Sequence, residues 1–403
     1  MKRYLMKIMS VGIICFTMAA CSLTELGTVQ KDEYNGVWTG PSVSSPTSKA
    51  VTYISAFDYP QGYDWMADPD RGAVKCSLVV FRDGVPTLKV PVGNEYRVGP
   101  DPDMHRIIDG HLYTDYSTEE KTIIKKDGKP LMEYPGPEML CDFKVLTGDV
   151  YTLGHSRSGK GFSFRVNGEV VLERDTGYTF ERIFIEDSIV SIAFAEQLIS
   201  VDGVFERYYV MSGGKVSQVA VRDDVQKVWD IMIYKDKVVY LASVTGLSMP
   251  VLVSEKGMIA LSMPSLTSVV SCRMNPSDDD ILIEGVISNG RQLQCSLWNS
   301  SGKYTLFPIG MTFSAFYVAD DALHCALNPA SGGDTGLIFR GGETLGMPIG
   351  YSCMSRNAMG FSSGMLYIGL SSLMGGKPVL WSDGLTEEID VNGYISCVAF
   401  EQL

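Results

Sequence analysis

Two glycine motifs in the 403-residue chain have the outline of active-site loops, and neither is followed by the element its chemistry needs. Gly154-His155-Ser156-Arg157-Ser158-Gly159-Lys160-Gly161 fits GxxxxGK, but Gly161 stands where a phosphate-binding loop uses Ser or Thr to hold its metal. Phosphate cradling also requires a helix N-terminus after the lysine, whereas Phe162-Ser163-Phe164-Arg165-Val166 alternates as a strand. Gly360-Phe361-Ser362-Ser363-Gly364 fits GxSxG, whose serine must be lifted by a strained strand-to-helix turn. Met365-Leu366-Tyr367-Ile368 continues as a strand instead. Both stretches read as hairpin turns. The four histidines, His105, His111, His155 and His324, form no HExxH and no close pair, and no CxxC is present. A histidine metal site or a zinc ribbon is therefore not expected. Ser277-Asp278-Asp279-Asp280 could attract Ca²⁺, but it falls at the turn into Ile281-Leu282-Ile283, where acids face solvent. No cofactor is implied.

The elements that must carry any site repeat along the chain. Two-residue turns between apolar strands occur at Asp83-Gly84, Asp127-Gly128, Asn167-Gly168, Gly213-Gly214, Lys256-Gly257, Ser301-Gly302, Gly341-Gly342 and Asp383-Gly384. Successive glycines are 44, 40, 46, 43, 45, 40 and 42 residues apart, a scatter too small for chance. Tyr151, Tyr240 and Tyr367 each lie 17 residues before the glycine of their own turn, and Tyr113 lies 15 before its glycine. Residues 142 to 174 show the unit: Phe143 to Leu146, Val150 to Leu153, Phe162 to Val166 and Val170 to Glu173. Four short antiparallel strands per period is the pattern of propeller blades. The first hairpin, at Val51-Thr52-Tyr53, has no innermost strand before it, while Tyr394 to Phe400 is a strand with no unit after it. The sequence thus predicts an all-β chain forming one β-propeller of eight four-stranded blades, closed by the C-terminal strand. Seven blades plus an accessory hairpin is the alternative.

This repeat resembles the β-propeller superfamily over about residues 50 to 403. With Tyr in the second strand and Leu297-Trp298 and Leu380-Trp381 in third strands, the unit is similar to propeller lipoproteins of polysaccharide-using Gram-negative bacteria. Named subfamilies fit poorly. Trp229-Asp230 is the only Trp-Asp pair and falls in an innermost strand, and the partial sialidase-type box at Gly332, Asp334, Gly336 and Phe339 occurs once.

Residues 1 to 20 read as a signal peptide: Lys2, Arg3 and Lys7, then an apolar stretch from Ile8 to Met18. That stretch is too short to span a membrane, where about 20 residues are needed. Met18-Ala19-Ala20-Cys21 resembles a bacterial lipobox, which implies cleavage before Cys21 and lipidation of that cysteine. Ser22 in place of Asp implies outer-membrane sorting, facing the periplasm or the surface. Residues 21 to 49 read as a lipidated flexible tether, polar and breaker-rich from Thr39 to Ser48, and 50 to 403 as the propeller domain. Losing Lys2, Arg3 and Lys7 with the signal takes the net charge from −13 to −16, the wrong sign for a nucleic-acid partner. Seven cysteines remain outside the signal region: Cys76, Cys141, Cys272, Cys295, Cys325, Cys353 and Cys397. Their odd number and wide spacing point to small buried hydrophobes, not to a disulfide framework.

In such a ring, the loops joining second to third strands, and one blade to the next, share one face. Here they are long and varied, which is where binding residues usually sit. One is exceptional: Tyr53 precedes Gly84 by 31 residues instead of 17. The insertion carries Tyr59, Tyr63 and Trp65, the acids Asp58, Asp64, Asp68 and Asp70, and Arg71. Flat apolar faces edged with hydrogen-bonding groups suit sugar rings or peptide side chains. Tyr59, Tyr63, Trp65 and Arg71 are the expected ligand-binding residues. The alternative is that Phe57, Tyr59 and Trp65 only pin an oversized loop. The function read from these features is an outer-membrane-anchored binding or scaffold module for a glycan or protein. The alternatives are a propeller-type carbohydrate-active enzyme, hydrolase or lyase, which needs paired acids at the mouth of the channel, and a structural partner in an envelope complex.

Overall fold

Every regular element among the described residues is a strand. The computed structural model describes residues 50 to 401 apart from 68–73, 93–105, 118–119, 136–137, 157–160, 176, 187, 201–202, 266, 277–279, 320–321 and 331–334. The expected signal, the expected lipidation site Cys21, the expected tether, Arg71, His105 and the sialidase-type box glycine Gly332 lie outside the described residues.

The strands form eight antiparallel sheets, each a four-stranded meander. Blade 1, counted outward from the axis, is Gly393–Glu401, Val51–Asp58, Cys76–Arg82 and Val85–Val92. The innermost strands of blades 2 to 7 are Arg106–Ile108, Glu138–Leu146, Gly177–Glu186, Val225–Tyr234, Ser268–Pro276 and Met311–Ala319. In blade 8 the innermost strand is split into Tyr351–Ser352 and Met359–Ser362, both paired with Met365–Ser372. Eight blades are present, not seven, and the C-terminal strand completes the first, with Ile54 opposite Val398 and Phe57 opposite Tyr394. Each blade contacts the next around the ring. The core lies between blades: one apolar cluster joins blades 4 to 6, another joins blades 7, 8 and 1.

The turns explain the period. Asp83-Gly84, Asp127-Gly128, Asn167-Gly168, Gly213-Gly214, Gly341-Gly342 and Asp383-Gly384 have both residues at positive φ, the geometry whose twist matches a hairpin. The first residue of three of these turns also clamps the start of its blade's second strand. Asn167 Oδ1 accepts from Val150 N at 2.9 Å and its own N–H donates to Val150 O at 2.8 Å. Asp127 does the same with Leu112, and Asp83 with Thr52. A fixed clamp keeps turn and second strand at a fixed separation unless residues are inserted between them.

The motifs that looked catalytic resolve as hairpins. Ser363 and Gly364, at φ of 52° and 76°, form the two-residue turn between Met359–Ser362 and Met365–Ser372. Phe162–Val166 pairs with Asp149–Ser156 as a strand. Asp280 Oδ1 caps Ile281 N and Ser300 N, while 277–279 lie outside the described residues. His111 sits 2.7 Å from the turn acid Asp127, and His324 is buried and stacked on Phe361. All seven cysteines are free and six are buried. Burial pushes Cys76, Cys295 and Cys397 up to about 11, which keeps them as inert thiols.

Closure leaves no room at Gly393, where an added Cβ would overlap the Phe57 carbonyl oxygen of the partner strand. Gly393→Ala should cost about 3 kcal/mol, as overpacking against backbone does, and lower the urea midpoint. Gly346→Ala, where a Cβ meets nothing closer than 3.9 Å, should stay within about 0.5 kcal/mol of the parent. Equal midpoints for the two variants would mean that the C-terminal strand is not seated there.

Candidate functional site

The insertion after Val51–Asp58 folds back across the end of blade 1. Tyr63 N donates to Pro60 O at 3.1 Å, with Gly62 at φ 81°, to make its first turn, and Asp64 Oδ1 caps Met66 N and Ala67 N. Asn392, from the loop that enters the ring-closing strand, ties the insertion down. Its Nδ2 donates to Pro60 O at 2.7 Å and Tyr63 O at 3.2 Å, its N–H to Asp58 Oδ1, and its carbonyl accepts from Tyr59 N. Beneath runs an aromatic stack: Tyr59 parallel to Trp65 at 6.4 Å, Trp65 against Tyr394 at 5.2 Å, and Tyr394 against Phe57 at 4.8 Å.

Tyr59 and Trp65 are each 2% exposed, so they hold the loop from inside, whereas Tyr63 is half-buried and packs on Tyr59 at 5.5 Å. A cleft of ≈ 970 Å³ opens beside them, walled by the insertion, Lys75, Lys89 and the blade 8 loops at Gly375 to Lys377 and Asp390 to Asn392. Its size is that of a small-ligand site. Its charges are largely paired: Lys89 with Asp58 at 2.8 Å and Lys377 with Asp390 at 2.9 Å. Three of the four expected binding residues, Tyr59, Tyr63 and Trp65, thus line one cleft.

The sequence reading missed a second cluster, at the axis. Arg182 of blade 4 donates from Nη1 to Asp230 Oδ2 of blade 5 at 3.0 Å and to Met274 O of blade 6 at 2.9 Å. A bond between blades 4 and 6 has to pass close to the axis. Asp230 Oδ2 also accepts from Met274 N at 2.8 Å. The same device joins blades 2 to 4, where Arg106 reaches Asp142 at 3.1 Å and Asp142 accepts from Ile183 N at 3.2 Å. Lys144, 3.6 Å from Asp142, keeps a third of its side chain exposed, yet burial pushes it down to about 8, helped by Arg106, Arg182 and Arg273 and opposed by Asp142.

Glu284 completes the cluster from the second strand of blade 6, directly across from Arg273 in the register. It is 8% exposed. Burial pushes its carboxyl from 4.5 up to about 7, against the pull of Arg273, Arg356 and Arg182 and with help from Asp230. Among the described residues no group of three or more His, Cys, Asp or Glu is placed to hold a metal ion. The axial residues were missed because each blade contributes only one or two of them. Asp142, Arg182, Asp230 and Arg273 do recur at 40, 48 and 43 residues, a charged position at the blade period that could have found them.

No protein-family model matches the chain, and no curated protein matches its sequence. Solved structures similar to it include a prolyl endopeptidase, 12% identical, with TM-score 0.44, covering 74% of this chain and 50% of that one. The polysaccharide lyase Uly1 is 9% identical, with TM-score 0.38, covering 87% of this chain and 98% of that one. TolB from Acinetobacter baumannii is 13% identical, with TM-score 0.33 and coverage of 72% and 81%. The propeller assignment rests on the strand pairing, independently of these similarities.

The raised carboxyl of Glu284 makes stability depend on pH. Between pH 4.5 and about 7 the folded state holds a proton that the unfolded chain has released, so Glu284 costs stability as pH rises through 7. Glu284→Gln should therefore stabilise the protein at about pH 8 by roughly 3 kcal/mol, an order-of-magnitude figure from the size of the shift. The gain should vanish near pH 4.5, as read by thermal melts across pH. A variant less stable than the parent at pH 8 would show that the arginines hold Glu284 ionised.

Proposed function

We propose that this propeller is a binding module of the cell envelope, anchored through Cys21 to the outer membrane, and that its ligand is a neutral glycan segment held in the blade 1 cleft. The observation that carries this reading is the cleft itself: an insertion longer than the equivalent loop of any other blade, with Tyr63 at its surface and a rigid aromatic base below. A half-buried tyrosine on a fixed support offers a stacking face at little cost in ordering. The paired lysines and aspartates leave polar rims without a large net charge, which suits hydroxyl groups better than an acidic polymer. A protein segment is the other ligand consistent with these features.

One observation favours a second reading, a carbohydrate-active hydrolase. Glu284 is an acid whose carboxyl titrates near neutrality, the property of a general acid. Hydrolysis would also require a second carboxylate across the scissile bond. Asp142 and Asp230, the other axial acids, are already bonded to arginines and backbone amides. The binding reading is therefore the one advanced.

Two experiments test it. In a thermal-shift screen of the mature protein against neutral polysaccharides, a ligand should raise the melting temperature. Tyr63→Ala should then abolish the shift while costing little stability, whereas Trp65→Ala should lower stability by about 3 to 5 kcal/mol as a truncated buried aromatic does. A Tyr63→Ala variant that still binds every ligand found would remove the cleft from the account. Separately, Cys21→Ala should release the protein from the membrane fraction or block signal cleavage. Normal processing with unchanged membrane retention would refute the anchor.

A further inference from the structure

The axial cluster holds five cations, Arg106, Lys144, Arg182, Arg273 and Arg356, against three acids, Asp142, Asp230 and Glu284. An excess of positive charge at the centre of a chain carrying −13 is a local inversion of sign. The cations belong to blades 2, 3, 4, 6 and 8, and they act across the ring on one another and on the acid: Arg273 of blade 6 on Lys144 of blade 3, and Arg356 of blade 8 on Glu284 of blade 6. Such coupling between blades that are not neighbours places these groups around a common axial space.

Two of the acids are committed to holding blades together. Asp142 bonds Arg106 and Ile183 N, and Asp230 bonds Arg182, Met274 N and Ile231 N. Glu284, whose carboxyl burial pushes up to about 7, is only partly ionised near neutral pH and so offsets less than one of the five cations. Donor capacity is left over. The part-exposed Arg273 makes no hydrogen bond or ion pair with any described residue. Two positions along the same face of its strand, the Nδ2 of buried Asn275 has no hydrogen-bond partner, and neither has Nε of Arg106. Like charges brought together with unspent donors, inside a fold that has acids to spare elsewhere, offer a place for an acceptor from outside the chain.

We infer that the axial cluster binds an oxyanion, a carboxylate or sulfate group carried by a small molecule or by an acidic sugar residue, with Arg273 as its principal contact and Lys144 and Arg356 completing the charge. This site is separate from the blade 1 cleft and shares no residue with it. The planar guanidinium of Arg273 matches a carboxylate with two parallel hydrogen bonds, and the surrounding cations raise the local concentration of anions.

The test is calorimetry of the whole protein against sodium sulfate, D-galacturonate and an oligogalacturonate, each at low and high sodium chloride. At least one of them should bind saturably, more weakly at high salt. Arg273→Gln should weaken that binding about tenfold or more, Arg273→Lys should retain part of it, and Arg356→Gln, at an exposed position, should weaken it as well, with the melting temperature of each variant read alongside. Tyr63→Ala should leave it unchanged, which separates this site from the cleft whatever becomes of the neutral-glycan reading. Binding of sulfate alone assigns the site to free anions, and binding of galacturonate or its oligomer assigns it to acidic sugars. No saturable binding of any of the three overturns the inference. So does binding that neither Arg273→Gln nor Arg356→Gln weakens, or that Tyr63→Ala abolishes.

Discussion

The pairing of Val51–Asp58 with Gly393–Glu401 is the constraint on which the rest of the structure depends. It joins residues more than 300 positions apart, as the 2.8 Å contact between the hydroxyls of Ser55 and Ser396 shows. Without it, blade 1 would have an open inner edge and blade 8 would keep only blade 7 beside it, and unpaired edges invite aggregation. The loop closure it demands is costly in chain entropy, so this pairing is expected to form late in folding. The same contact builds the cleft. Asn392 and Tyr394 of the closing strand and its lead-in loop hold the insertion through four hydrogen bonds and the aromatic stack. A propeller closed by some other strand would lack this cleft.

Around the axis, closure is reinforced by two different chemistries. Blades 2 to 6 are stitched by arginines and aspartates, each acid bonding an arginine of the preceding blade and a backbone amide of the next. Blades 7, 8 and 1 use neutral groups: Asn328 exchanges two hydrogen bonds with the backbone of Cys353, and Ser355 Oγ donates to Ser396 O. Buried ion pairs add little net stability over apolar packing, because desolvation offsets the attraction, but they are costly to mismatch. In a ring of eight similar units they are therefore better understood as fixing which blade sits next to which. The hydrophobic layers between blades supply the stability.

The architecture was legible in the sequence because one local device repeats. A turn residue such as Asn167 clamps Val150, 17 residues before it, from both sides of its peptide; the same clamp spans 15 residues at Asp127 and Leu112 and 31 at Asp83 and Thr52, so the insertion in blade 1 is visible as a departure in spacing. The insertion was found through that departure. Its internal arrangement was not, because an aromatic in a loop looks the same in sequence whether it supports the loop or faces a ligand. Tyr59 and Trp65 turn inward because the closing strand brings Tyr394 beneath them, a contact spanning nearly the whole chain. The axial cluster was obscured for a related reason. Arg273 or Glu284 alone is an ordinary charged residue in an alternating strand, and only the ring sets it among three other blades. Catalytic look-alikes failed on the element that followed them, as at Ser363-Gly364, where a hairpin turn replaces the strand-to-helix bend.

The central claim is that the first and last strands are one cooperative unit that closes the ring and supports the cleft. Native-state hydrogen exchange tests it most directly, because an amide inside a closed sheet opens only with the whole fold. The amides of Val51–Asp58 and Gly393–Glu401 that pair with one another should exchange with the free energy of global unfolding, together with those of the inner strands of blade 5. Exchange of either segment at the rate of a fraying terminus, while blade 5 stays protected, would contradict closure by this strand pair.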